Sequence, residues 1–319
     1  MILTVTLNPA LDRTVAVPRM RLGHRHRAVE SRRAPGGKGV NVARALKRLG
    51  EPVIATGLAG GATGVRIREL LTAEDVLHDF TEVAGDSRTN ISFVDPTSGE
   101  QTEINERGPE VSAAEVERYV TRLVYLARGA SYCVIAGSLP PGAPVDIYAT
   151  LISAMHECGV PVLLDTDGEP MRAGLRAQPA VVAPNIAEAE EAVGYEFGEP
   201  QDLDMGLLSL LEMGAHEVFI TTAEGCVAIA GAGPSRRRYE ATIDPLDPVA
   251  AAGSGDAFLA GLAAGRRAGR GPAEALAFAV ACGAESTQHM GAGALDPTEV
   301  ARMVERVGVK QLEVPVAVA

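Results

Sequence analysis

Residues 133–177 read CVIAGSLPPGAPVDIYATLISAMHECGVPVLLDTDGEPMRAGLRA, and their pattern decides the fold class. A short apolar run, Cys133-Val134-Ile135, precedes an amphipathic stretch from Pro144 to His156. A second run, Val160 to Leu164, precedes a second amphipathic stretch from Glu169 to Ala177. Short apolar runs alternating with helical periodicity imply parallel strands joined by right-handed crossovers, with helices covering both faces of the sheet. The same rhythm extends outward in both directions. Val53-Ile54-Ala55 is followed by a helical stretch from Gly64 to Leu71, and Val218 to Thr221 reads as a further strand. Asp256 to Arg267 and Pro272 to Gln288 are Ala-rich helices. At the start, Ile2 to Leu7 is a strand that Asn8-Pro9 turns toward a second around Thr14 to Val17. Val40 to Leu49 forms a helix with Arg44, Lys47 and Arg48 outside, stopped by Gly50. Two polar, helix-poor stretches, about 12–34 and 87–107, break the rhythm and predict a small antiparallel flap inserted in one domain spanning 1–319.

With 46% hydrophobic and 22% charged residues over 319 positions, the chain lies in the globular range. It lacks an apolar run of membrane-spanning length, and residues 1–15 lack a secretory pattern, so a cytoplasmic protein with no membrane partner is expected. Cys133, Cys158, Cys226 and Cys282 are too widely spaced for a zinc knuckle and read as small core residues. His24 and His26 would share a strand face, but no further ligands are evident nearby. The net charge of -12 argues against nucleic acid as a partner. Against that acidic background, residues 13–48 carry eleven Lys and Arg and a single acid, Glu30. Either an anion-binding surface or a solvated strand and helix face explains this cluster.

Four motifs could carry chemistry. Gly253-Ser254-Gly255-Asp256 runs a Gly-rich loop into a helix, where free backbone N–H groups can hold a phosphate and Asp256 can take a proton from an attacking hydroxyl. The bland alternative is Asp256 as a helix N-cap. Gly36-Gly37-Lys38-Gly39-Val40-Asn41 is a second glycine turn into a helix; it is not a Walker A element, since Gly39 follows the lysine. It could hold a polyol or simply start the helix. Asp12 lies just after the first strand, where ligands of open α/β sheets gather, though a turn role suffices locally. Asn185 and Glu188 open a helix as a capping box.

Taken in order, these motifs, with G-S-L-P-P-G at 137–142, resemble the ribokinase-like carbohydrate kinases, and within them the phosphofructokinase B branch of 1-phosphofructokinase and tagatose-6-phosphate kinase. The resemblance covers nearly the whole chain. It implies a three-layer αβα sandwich with a β lid formed by the two flap stretches. It further implies Asp256 as catalytic base and Gly253, Ser254 and Gly255 as the anion hole. Asp12, Gly37, Asn41 and Ser138 would bind the sugar, and Arg27, Lys38 and Arg88 the phosphate already on it. Asn185, Glu188, Thr222 and Gly225 would serve ATP, with Glu188 toward Mg²⁺. Lys38 favours the 1-phosphofructokinase and tagatose-6-phosphate kinase members over the 6-phosphofructokinase type, which has glycine there.

Two departures concern the donor side. Ala183 stands where the family usually has lysine, and Thr221-Thr222-Ala223-Glu224-Gly225 is one residue shorter than the usual nucleotide loop. The implied activity is ATP-dependent phosphorylation of a ketohexose monophosphate, foremost fructose 1-phosphate to fructose 1,6-bisphosphate. The alternatives are tagatose-6-phosphate kinase, 6-phosphofructokinase, a kinase of a non-phosphorylated sugar, and a silent sugar-binding regulator. A homodimer through the lid is the implied assembly. The sequence also sets up a tension, because a helix N-terminus should lower the pKa of Asp256 and weaken it as a base.

Overall fold

Strand and helix alternate through the computed structural model, which describes residues 1–314. The order is β1 (Ile2–Thr6), β2 (Ala10–Ala16), β3 (Glu30–Gly36), α1 (Lys38–Arg48), β4 (Val53–Gly60), α2 (Gly61–Ala73), β5 (Leu77–Val83), β6 (Arg88–Val94), β7 (Gln101–Asn105) and α3 (Ala113–Ala127). It continues with β8 (Tyr132–Ala136), α4 (Ile147–Glu157), β9 (Val162–Asp165), α5 (Gly168–Arg176), β10 (Val181–Val182), α6 (Ile186–Val193), α7 (Pro200–Glu212), β11 (Glu217–Thr222), β12 (Gly225–Ala230), β13 (Arg237–Thr242), α8 (Ser254–Arg267), α9 (Pro272–Ser286), α10 (Pro297–Val304) and β14 (Gly308–Leu312).

Ten strands form one sheet in the order β14-β13-β12-β11-β10-β9-β8-β1-β4-β5. The run from β11 to β5 is parallel, and β12, β13 and β14 extend it antiparallel. Period-2 alternation sends Leu3 and Val5 of β1 into one core, with Tyr148 of α4 and Leu175 of α5, and Ile2 into the other, with Val42 of α1 and Leu259 of α8. Two apolar cores on opposite faces make the three-layer αβα sandwich that the alternation predicts. Crossovers from β1 build outward to β4 and β5, while those from β8 build the other way. The reversal between β1 and β8 opens a crevice at the strands' C-terminal ends, the place where such sheets bind ligands.

The two polar stretches form a separate four-stranded sheet, β3-β2-β6-β7. The expected flap is present, but it is not wholly antiparallel, because β2 and β6 run parallel. The cause is the parent sheet. β2 leaves the end of β1 and β6 follows β5, two strands that point the same way, so the outgrowths rise side by side. A second correction concerns Arg44, which the helical pattern placed outside: it is 9% exposed and inside the fold. Three cysteines are buried as expected and Cys158 is partly buried; all four are free thiols. No helix among the described residues is long and apolar enough to cross a membrane.

Candidate active site

α1 and α8 meet over the end of β1, and this contact assembles the crevice. Gly253 is the N-cap of α8 with φ 87°, a left-handed conformation that favours glycine, so Ser254 and Gly255 already lie in the first turn with Asp256. Asp256 is therefore not the N-cap. Its carboxylate is 6% exposed and accepts a 2.9 Å hydrogen bond at Oδ2 from Asn41 Nδ2 of α1, 215 residues away in sequence. Burial, followed by the negative charge of Asp165, pushes the Asp256 pKa up to about 7. The expected lowering by the helix end is thus overturned: desolvation of a fully enclosed carboxylate outweighs a partial helix charge. A base poised near neutrality can hold a hydroxyl proton.

Asp12 is not in a turn; it lies within β2, opposite Ala34 of β3. Asn90 of β6 donates to Asp12 Oδ1 at 2.9 Å, and burial raises the Asp12 pKa. Gly36 leaves room for this carboxylate, since a Cβ there would stand 1.9 Å from Asp12 Oδ2. Asn90 escaped the sequence reading because its neighbour Asp12 lies 78 positions away, and only the parallel β2–β6 pairing joins them. Asn41 and Asn90 share one arrangement: each spends its amide N–H on a carboxylate and leaves a buried Oδ1 with no partner. Unpaired buried acceptors are costly, and two of them beside two carboxylates suit the hydroxyls of a polyol.

Lys38, the first residue of α1 after its N-cap Gly37, points across the crevice. Its Nζ donates to Asp165 Oδ1 at 3.0 Å and Glu188 Oε1 at 2.8 Å. Burial alone would lower the ammonium pKa, but these two carboxylates outweigh it and raise it. Asp165, at the end of β9, also went unnoticed in the sequence, since nothing in LLDTD distinguishes it from a strand terminus. Glu188 Oε2 accepts from the Asn185 N–H and Asn185 Oδ1 from the Glu188 N–H, the capping box expected of that motif. Removing the Lys38 charge leaves Asp165, of which only 6% of the side chain is exposed, without its cation. Lys38→Met is expected to cost about 2 to 3 kcal/mol in urea unfolding, less than a fully enclosed pair because Lys38 is itself a third exposed.

Arg88 opens β6 and is held by two carbonyls, donating from Nε to Asn8 O and from Nη1 to Glu106 O, both at 3.1 Å. Its charge reaches Asp12. Ser138 follows β8 and accepts from Asn8 Nδ2 at 3.4 Å. Arg27 stands apart. It is exposed in the loop between β2 and β3, beyond the Ala16–Glu30 pair and so at the far end of the hairpin from Asp12 and Gly36.

On the other side of Gly253–Gly255 lies a cavity of about 390 Å³ lined by Thr222, Gly225, Ile243, Leu246, Gly255 and Ala284, among others. Its walls are largely apolar and include the start of α8, a shape suited to a flat heterocycle with its phosphates at the helix end. The shortened loop is a two-residue hairpin turn, with Thr222 paired to Gly225. Thr222 and Gly225 line the cavity together with the segment from Ile243 to Pro248, which has no motif of its own in the sequence.

The family model described as pfkB family carbohydrate kinase matches residues 6–299. Among solved structures, phosphofructokinase-2 from Escherichia coli is 27% identical, covering 95% of this chain and 98% of that one with a TM-score of 0.89. A possible 1-phosphofructokinase from Thermotoga maritima is 26% identical, covering 98% of this chain and 100% of that one, also with a TM-score of 0.89. Ribokinase from Arabidopsis thaliana, solved with ribose and ATP, is 21% identical over 95% of this chain and 98% of that one; its TM-score of 0.72 speaks for the fold alone.

Proposed function

The chain belongs to the pfkB family of carbohydrate kinases and is a phosphotransferase with an alcohol acceptor; from that premise we propose that it moves the γ-phosphoryl group of ATP to O6 of fructose 1-phosphate. The observation that carries the reading is the Asn41–Asp256 hydrogen bond, which sets a buried, near-neutral carboxylate between the sugar-side crevice and the Gly253–Gly255 turn. Asp12, Asn41 and the free Oδ1 of Asn90 orient the sugar hydroxyls. Asp256 takes the proton of the attacking hydroxyl, and the N–H groups of Gly253–Gly255 receive the migrating negative charge. In a loose transition state that proton leaves late, so a base near neutrality suffices.

The donor nucleotide fits the cavity beside α8, bordered by Thr222 and Gly225. Mg²⁺ fits the Asp165 and Glu188 carboxylates, hard oxygens that already converge on one cation, the Lys38 ammonium. When bound, the ion neutralises charge on the donor phosphates. Arg88 and Lys38 favour an acceptor carrying its own phosphate. Arg27 can join them only if the lid folds over or a second copy supplies it, which favours a homodimer through the lid; sedimentation velocity tests that assembly.

Fructose 6-phosphate and tagatose 6-phosphate are the alternatives, and Escherichia coli phosphofructokinase-2 has itself been solved with fructose 6-phosphate. A coupled ADP-release assay over fructose 1-phosphate, fructose 6-phosphate, tagatose 6-phosphate and fructose decides among them. A charge-assisted hydrogen bond contributes about 1.5 to 3 kcal/mol, so Arg88→Ala is expected to lower kcat/KM about 10- to 100-fold for the phosphosugar. Fructose should be nearly indifferent. An equal fall for both would remove the phosphosugar assignment.

A further inference from the structure

We propose that Arg44 is a positioning residue that holds the anion-hole turn in register with the sugar side of the crevice, an inference resting on the reading of Gly253–Gly255 as that hole. Arg44 lies three residues after Asn41 on α1, so the two share the helix face that packs toward α8. Asn41 reaches Asp256, and Arg44 reaches the wall behind it.

The Arg44 guanidinium uses its fork in three directions. Nε and Nη2 bind Glu74, the C-cap of α2, at 2.7 and 2.9 Å. Nη1 donates to Ala292 O at 2.6 Å, and to Pro35 O at 3.4 Å. Pro35 precedes Gly36, the residue that leaves space for Asp12. Ala292 lies in the loop between α9 and α10 and packs directly on Gly253, where an added Cβ would come within 2.4 Å of the Ala292 Cβ. The next residue, Gly293, lies flat on Arg44, since a Cβ there would be 2.9 Å from Nη1. One side chain therefore ties α2, the C-terminal end of the lid strand β3, and the loop on which Gly253 leans.

A buried arginine is a costly way to fill space that a methionine could fill, because its charge must be taken out of water. Its value lies in the planar donors, which lysine cannot reproduce with one ammonium. If the 291–293 loop drifts, the Gly253 backbone turns with it and its N–H groups lose their aim. That error acts on the transition state rather than on acceptor binding.

The test compares the wild type with Arg44→Lys and with the double variant Arg44→Met, Glu74→Gln, which leaves no carboxylate unpaired. Hydrogen exchange without any substrate is expected to quicken at least tenfold in residues 290–294 and 253–256, with α4 on the opposite face of the sheet unchanged. kcat is expected to fall about 10- to 100-fold with the acceptor KM within threefold of wild type, the scale of a misplacement near 1 Å. Arg44→Lys should recover part of the kcat. Unchanged exchange in both segments overturns the tie itself. Faster exchange with unchanged kcat overturns the anion-hole reading on which the proposal rests, and a raised acceptor KM with unchanged kcat assigns Arg44 to the acceptor instead.

Discussion

Asp256→Asn is expected to lower kcat by roughly 10²- to 10⁴-fold, the scale of losing a general base, while making the fold more stable at pH 8. The two effects share one cause. Burial and the charge of Asp165 hold the Asp256 pKa at about 7, against 3.8 for an ordinary aspartate. Well below pH 3.8 the carboxyl is protonated whether folded or unfolded and costs nothing. As pH rises from 4 to 7 the unfolded chain loses this proton while the folded one keeps it, so stability falls; above 7 both forms are ionised and the loss stays constant. The full difference corresponds to a few kcal/mol. Asparagine carries no such charge, and its Oδ1 can still accept from Asn41. Urea unfolding of both proteins at pH 4 and pH 8 should show most of the variant's advantage at the higher pH. Wild-type kcat/KM should rise with pH and level off above about 7. Near wild-type turnover in the variant would sink the assignment of Asp256 as base.

Gly36→Ala is expected to cost about 10²-fold or more in kcat/KM with little change in unfolding free energy. The added methyl would stand 1.9 Å from Asp12 Oδ2 and 2.3 Å from its Cγ, so the carboxylate must swing away and give up the bond from Asn90. Gly36 shows no left-handed backbone, so alanine there meets a side chain rather than backbone strain. A misplacement near 1 Å in a group that orients the attacking hydroxyl has that kinetic scale. Pairing the change with Asp12→Ala checks it: in the absence of the carboxylate the methyl should do no further harm. Additive losses in the double variant would mean that Gly36 acts by another route.

Much of the site was legible because its parts are local. The glycines before Asp256 and around Lys38, and the Asn185–Glu188 box, are signals read within six residues of chain, and all three stand at helix starts. What the sequence left open depends on neighbours far away along the chain. Lys38 was expected to face the sugar's phosphate, and it also bridges two carboxylates 127 and 150 positions distant. Arg44 looked solvated because a helical wheel shows which face a residue is on, not what stands against that face.

The alternation of strand and helix, and with it a mainly parallel sheet covered on both faces, was set by apolar periodicity along the chain. The parallel pairing of β2 with β6 was decided by the directions of β1 and β5 in the assembled sheet. The protonation of Asp256 was likewise a tertiary outcome. Its sequence neighbours supply a helix end that favours the charged form, but burial in the folded protein, followed by the negative charge of Asp165, 91 residues away, outweighs both that local field and the hydrogen bond from Asn41.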